Sequence, residues 1–164
     1  LALVSSAPVT AAWRDEFERR FAARMALPWI ARSRADLAAS GLAQTDPEKY
    51  RRMAFALSVA GYFRDPSRAR ELTPFRVTER TRKAVWDSLG KYDLRPRMRQ
   101  TFPNGRAPRS LLLHGIYDPM PLEAARETAA LLSTGVIELA TGHAPHVEAT
   151  KEFARALDGF LPPH

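Results

Sequence analysis

Apolar positions follow different rhythms in successive stretches of the chain. Residues 1–4, "LALV", are a short continuous apolar run closed by "SSAP", the pattern of a buried strand passing into a loop. From residue 11 the period lengthens. Trp13, Phe17, Phe21 and Met25 recur every four positions and so share one side of a helix that should end near Pro28. "TDPEKYRRMAFALSVAG" predicts a second helix, with Asp46 as N-cap, Pro47 at the first helical position and Tyr50, Met53 and Leu57 on its inner face. "DPSRAREL" repeats the Asp-Pro start at Asp65 and Pro66, and "TERTRKAVWDSLG" runs from a Thr78 cap to a terminating Gly90.

Beyond the Pro- and Arg-rich connection "LRPRMRQTFPNGRAPRS" the rhythm changes again. "LLLH" reads as a parallel strand covered on both faces. Pro121 opens an amphipathic helix through Leu122, Ala125, Ala129 and Leu132, "GVIELA" is a further strand, and residues from about 147 to 161 form a last helix through Phe153, Leu157 and Phe160. Strand, helix, strand, helix implies a parallel pair joined by a right-handed crossover. The expected fold class is α/β, a short parallel sheet of about three strands with a helical subdomain. Residues 1–10 form a core strand and its exit loop, 11–92 a helical cap, and 93–164 an α/β core.

Composition narrows the setting. The chain has 164 residues, 45% hydrophobic and 26% charged, enough for a core. It has no cysteine, hence no disulfide framework or thiolate metal site, and a cytoplasmic location is the default expectation. No apolar run approaches the roughly 18 residues of a membrane span. The first residue is Leu, and "LALVSSAPVT" lacks the basic start of a secretory signal, so residue 1 is expected to be a cut inside a longer protein. The net charge of +7 resides in residues 1–100, with 20 Lys and Arg against 11 Asp and Glu, whereas residues 101–164 carry 5 against 7. The arginines are interleaved with acids, as in "RDEFERR", which suits solvated helix faces, and no nucleic-acid-binding motif accompanies them.

The chemistry gathers in two short stretches. Two parallel strands end on the same edge of their sheet, and in open α/β sheets ligands and catalytic groups collect there. Asp118 follows "LLLH" and His143 follows "GVIELA", so residues 25 apart should stand side by side. A carboxylate accepting the Nδ1–H of an imidazole fixes its tautomer and leaves Nε2 free to take a proton from a nucleophile. The plainer role for Asp118 is that of a turn former or a cap for the helix at Pro121.

"LLLHGIYDPMPLEAA" followed by "LATGHAPHVEATKEFARALDGFL" resembles the closing third of an α/β-hydrolase of the proline iminopeptidase-like branch. The motifs that carry the likeness are HGxxDxxP and GHxPxxE. "LALVSSAP" is similar to the family's sixth strand, residues 11–92 to its inserted lid, and "SLGKYDLRP" to the return from lid to core. The resemblance implies that Asp118 is the acid and His143 the base of a serine triad acting on an amide or ester bond, as in an aminopeptidase or esterase. It implies a small-molecule or peptide substrate and no metal or organic cofactor. His146 is a candidate for the pocket wall, and Trp13 and Phe17 for an acyl or aromatic subsite, although a helical aromatic stripe also serves as core. Lid acids would hold a substrate amino group, and Glu16, Glu18, Asp36 and Asp87 are available.

The chain departs from the family in lacking GxSxG. Ser5 and Ser6 stand at a strand exit, but on the wrong strand. The nucleophile and the oxyanion donors would come from a missing N-terminal half, so the chain is expected to be inactive alone, with the exposed edge of its first strand open to self-association. An aspartate nucleophile would point instead to the epoxide hydrolase or dehalogenase branches. A reading from another class is a non-catalytic basic helical binding module, marked by polyanion binding that is indifferent to His143→Ala.

Overall fold

Leu111, Leu112 and Leu113 point alternately to the two faces of one strand, and each face has its own helix. The computed structural model describes residues 1–72, 84–85, 87–103 and 106–162. Strand β2 (Leu111–Gly115) is buried along its whole length because it lies between β1 (Ala2–Val4) and β3 (Val136–Leu139) in a three-stranded parallel sheet of order β1-β2-β3. Val4 is paired with Leu113, and Gly115 with Leu139, which sets the ends of the three strands at one edge. Among the described residues the outer edges of β1 and β3 carry no further strand.

The crossover between β2 and β3 is helix α6 (Leu122–Leu131), and Ala129 and the following Leu132 pack on Leu112. On the opposite face Phe153, Ala156 and Leu157 of α8 (Thr150–Asp158), with Phe160, cover Leu111, Leu113 and Leu139. A two-faced apolar strand is stable only with both covers present, and full burial of each leucine contributes about 1.5–3 kcal/mol.

The segment between β1 and β2 is mostly helical in its described residues: α1 (Arg14–Met25), α2 (Pro28–Ala39), α3 (Leu42–Thr45) and α4 (Pro47–Val59), then 3-10 turns at Ala60–Tyr62 and Pro66–Glu71. Its two ends meet. Thr10 and Asp93 form an antiparallel bridge, Ala11 N donates to Tyr92 O at 2.9 Å, and Leu94 N donates to Val9 O at 2.8 Å. Arg95 opens the short helix α5 (Arg95–Thr101) and binds Asp93 at 2.7 Å and Glu127 at 3.1 Å. Its hydrogen bonds hold the Asp93 carboxyl down at about 2.

Local signals and tertiary contacts disagree in three places. Asp46 caps α4 as expected, accepting from Lys49 N at 3.0 Å, but the face that α4 buries is rotated from the expected one. Ala56 and Val59 pack on the core around Ile30 and Phe63, while Met53 is 41% exposed at the mouth of a cavity of about 430 Å³ whose walls include Trp29, Leu57 and Leu72. Asp65 does cap a turn, accepting from Ser67 N at 3.0 Å, yet Pro66–Glu71 winds as a 3-10 turn instead of an α-helix. The last helix is split: α7 (Pro145–Glu148) is a separate turn ahead of α8. The Thr78 cap and Trp86 of the expected helix before Gly90 lie outside the described residues. Residues 84–85 and 87–89 are helical, and Gly90 follows in the left-handed region at φ +54°. No helix among the described residues is long and apolar enough to cross a membrane.

Candidate active site

A tight turn delivers Asp118. β2 ends at Gly115, Asp118 N donates back to Gly115 O at 3.0 Å, and the side chain is completely buried. One carboxylate oxygen builds the loop and the other builds the site. Oδ1 accepts Met120 N at 2.8 Å, and Oδ2 lies 2.8 Å from Nδ1 of His143. Both roles considered for Asp118 are therefore filled at once, turn former and histidine partner, though it caps no helix: α6 begins at Leu122, after Pro121, without a side-chain cap. The far end of the turn is pinned by His114, which is buried and places Nε2 at 3.0 Å from Met120 O. A carbonyl only accepts, so that Nε2 carries a proton.

His143 arrives from β3 through Thr141 and Gly142. Its backbone N donates to Tyr62 O at 2.7 Å, its ring lies 5.0 Å from the Tyr62 ring, and the side chain is 39% exposed. Facing a carboxylate that can only accept, Nδ1 is the protonated nitrogen. Nε2 makes no hydrogen bond among the described residues and is reached by solvent. The arrangement can orient an imidazole and accept a proton at Nε2.

Two glycines allow the loops to approach. A Cβ on Gly115 would lie 2.0 Å from Gly142 O and 2.4 Å from Thr141 O; one on Gly142 would lie 2.2 Å from Tyr62 O. Each contact is with backbone, which no rotamer can relieve. Arg24 on α1 borders the site from the helical segment, donating to Tyr117 O and, at 3.3 Å, to Gly61 O. Burial lowers its pKa, and the charges of Asp118 and Glu148 pull it back up.

The other residues suggested by the sequence lie around this pair. Phe17 is buried against Met120 and Ala124, beneath the loop that carries Asp118, and stacks toward Phe21 and Tyr62 with centroids 5.9 and 6.2 Å away. Trp13 donates Nε1 to Glu127 Oε2 at 2.8 Å on α6. Phe17 thus packs as core and Trp13 is hydrogen-bonded to α6, so both support the loop that carries Asp118. His146 is exposed, its ring edge-on to Phe153 at 6.1 Å, and no hydrogen bond or ring contact joins it to Asp118 or His143. Ser5 follows β1 with φ +43° and a buried hydroxyl that makes no hydrogen bond, a position closed to a substrate. Glu16 is held by Arg19 at 2.7 Å and Arg20 at 2.5 Å, and those bonds keep its carboxyl below the usual range.

Comparison with protein-family models, with curated proteins and with solved structures gave no match. The geometry of the pair formed by Asp118 and His143 therefore carries the functional reading. It also adds residues to which sequence reasoning assigned no role. Tyr62 and Arg64 come from the end of the helical segment: Arg64 donates to Ala140 O at 2.9 Å and lies over the Tyr117 ring at 4.6 Å. Glu148 accepts from three backbone amides around His143. Its only sequence signal is its place in GHxPxxE. Among the described residues no group of three His, Cys, Asp or Glu is placed to hold a metal ion.

Proposed function

We propose that these residues are the cap and C-terminal core of a serine α/β-hydrolase, supplying the acid and base of its triad while the nucleophile comes from residues outside the 164. The observation that carries this reading is the 2.8 Å contact between Asp118 Oδ2 and His143 Nδ1 at the carboxyl ends of neighbouring parallel strands. The resemblance of HGxxDxxP and GHxPxxE to the proline iminopeptidase-like branch favours an amide or ester substrate, with an N-terminal peptide residue as the specific case. In the complete enzyme the serine Oγ would bond to the carbonyl carbon while its proton passes to His143 Nε2. His143 would then return that proton to the departing amine or alkoxide as the C–N or C–O bond breaks. Water, deprotonated by the same nitrogen, would release the acyl group and restore the serine. Asp118 stabilises the imidazolium throughout without taking the proton itself. The unpaired edge of β1 is where a further core strand would add, and in its absence the same edge would favour association between copies.

Assays with p-nitrophenyl acetate and with alanyl and prolyl p-nitroanilides test the proposal. The chain alone is expected to give no turnover above buffer; hydrolysis that disappears in His143→Ala would show that its nucleophile lies within these residues. The polypeptide extended upstream of Leu1 to include the next strands is expected to turn over one of these substrates and to lose that activity in His143→Ala. Activity of the extended polypeptide that survives His143→Ala, or an extension with no strand-end nucleophile, overturns the reading.

A further inference from the structure

The Glu148 carboxylate stands where cap and core meet, and both of its oxygens are engaged by main chain. Oε2 accepts from Gly142 N at 2.6 Å; Oε1 accepts from Arg64 N at 2.8 Å and from Asp65 N at 3.2 Å. Gly142 immediately precedes His143. Arg64 and Asp65 follow Tyr62, whose carbonyl receives the His143 amide. Arg68 binds the same stretch a second time, donating to Val147 O at 2.6 Å and to Glu148 O at 3.0 Å. Residues 62–68 of the cap are thus stitched to residues 140–148 of the core.

We infer that Glu148 is a positioning residue for His143, a carboxylate clamp that fixes the backbone ahead of the imidazole and ties it to the cap. The inference rests on the reading of His143 as the base. Its physical ground is the glycine. Position 142 excludes a Cβ because Tyr62 O is too close, and a glycine brings the widest backbone freedom of any residue to the position next to His143. Something must remove that freedom, and the carboxylate does so by holding the Gly142 amide from one side and two cap amides from the other. Only a group with two acceptor ends can serve both sides. A glutamine of the same shape presents a donor at one end, so it meets an N–H with an N–H whichever way its carboxamide turns. Alanine leaves all three amides without this acceptor. With the clamp released, the His143 loop is free to shift, and the imidazole loses its fixed approach to Asp118.

The test uses the chain as it stands and needs no turnover. The strongly deshielded Nδ1 proton of an imidazole bonded to a carboxylate is observable by proton NMR, and its absence in His143→Ala assigns it. It is expected in the wild type and in Glu152→Gln, an exposed control on α8. It is expected to vanish by solvent exchange in Glu148→Gln and Glu148→Ala while the methyl signals of Leu111, Leu113 and Leu139 stay in place, and to return in part in Glu148→Asp, which keeps two acceptor ends. A folded Glu148→Gln with this proton unchanged overturns the inference. Should the variants fail to fold, hydrogen exchange on the wild type decides. The Gly142, Arg64 and Asp65 amides are expected to be protected together, and fast exchange at all three would remove the clamp. Loss of the Nδ1 proton in Glu148→Gln, with no His143-dependent hydrolysis by the extended polypeptide, leaves the clamp standing and removes the hydrolase reading. The reverse pattern removes the clamp alone.

Discussion

In the proposed hydrolase, Asp118→Asn is expected to lower kcat of the polypeptide extended upstream of Leu1 by roughly 10⁴, with KM little changed. The substitution preserves shape, so the effect isolates a proton. In the wild type Oδ1 accepts the Met120 amide and Oδ2 accepts from His143 Nδ1. An asparagine that keeps its carbonyl on Met120 N presents its NH2 to Nδ1, which must then act as acceptor. The ring proton moves to Nε2, and the nitrogen that should receive the nucleophile's proton is blocked. The opposite orientation sets NH2 against the Met120 N–H in a fully buried position, at a cost of about 1–3 kcal/mol. A series of initial rates against substrate concentration separates the two constants. A KM effect with kcat preserved would mean that Asp118 shapes binding and does not set the tautomer.

Gly115→Ala carries the largest expected loss of stability, about 3 kcal/mol or more, because the new methyl would meet the carbonyls of Thr141 and Gly142 at 2.4 and 2.0 Å. Neither obstacle is a side chain that can turn aside. The β3 exit loop must move away from β2, and it carries His143. Gly135→Ala is the matched control: nothing lies within 4 Å of its Cβ position, and its effect should stay within about 0.5 kcal/mol. Urea unfolding of the three proteins checks both values, and an unchanged slope with a displaced midpoint would assign the difference to stability. If Gly115→Ala and Gly135→Ala unfold alike, the close approach of the two loops is wrong.

The parts of the molecule legible in the sequence are those whose signal is local. Leu111 to Leu113 form a continuous apolar run because both faces of β2 are covered, and Asp46 announces its helix because Asp-Pro is a cap followed by the one residue that needs no amide partner. The juxtaposition of Asp118 and His143 follows from the same reasoning, since parallel neighbours end at one edge. Met53 shows where that reasoning stops. Its periodicity matches that of Leu57, but the packing of α4 is decided by what α2 and the turn at Pro66–Glu71 present to it, and the helix buries Ala56 and Val59. Glu148 shows a different limit. Its partners are backbone amides, one of them 84 residues away, and an N–H donor looks the same at every non-proline position. Nothing in the letters at 64 or 65 marks them as its partners.

The tautomer of His143 is the physical link between the structure and the proposed chemistry, and nitrogen NMR of the ring reads it directly in this chain. At a pH where the ring is neutral, Nδ1 is expected to resonate as a protonated, pyrrole-type nitrogen and Nε2 as an unprotonated, pyridine-type one, with the distinction erased in Asp118→Ala. A protonated Nε2 in the wild type, or nitrogen shifts that Asp118→Ala leaves untouched, would contradict the pairing on which the hydrolase reading rests.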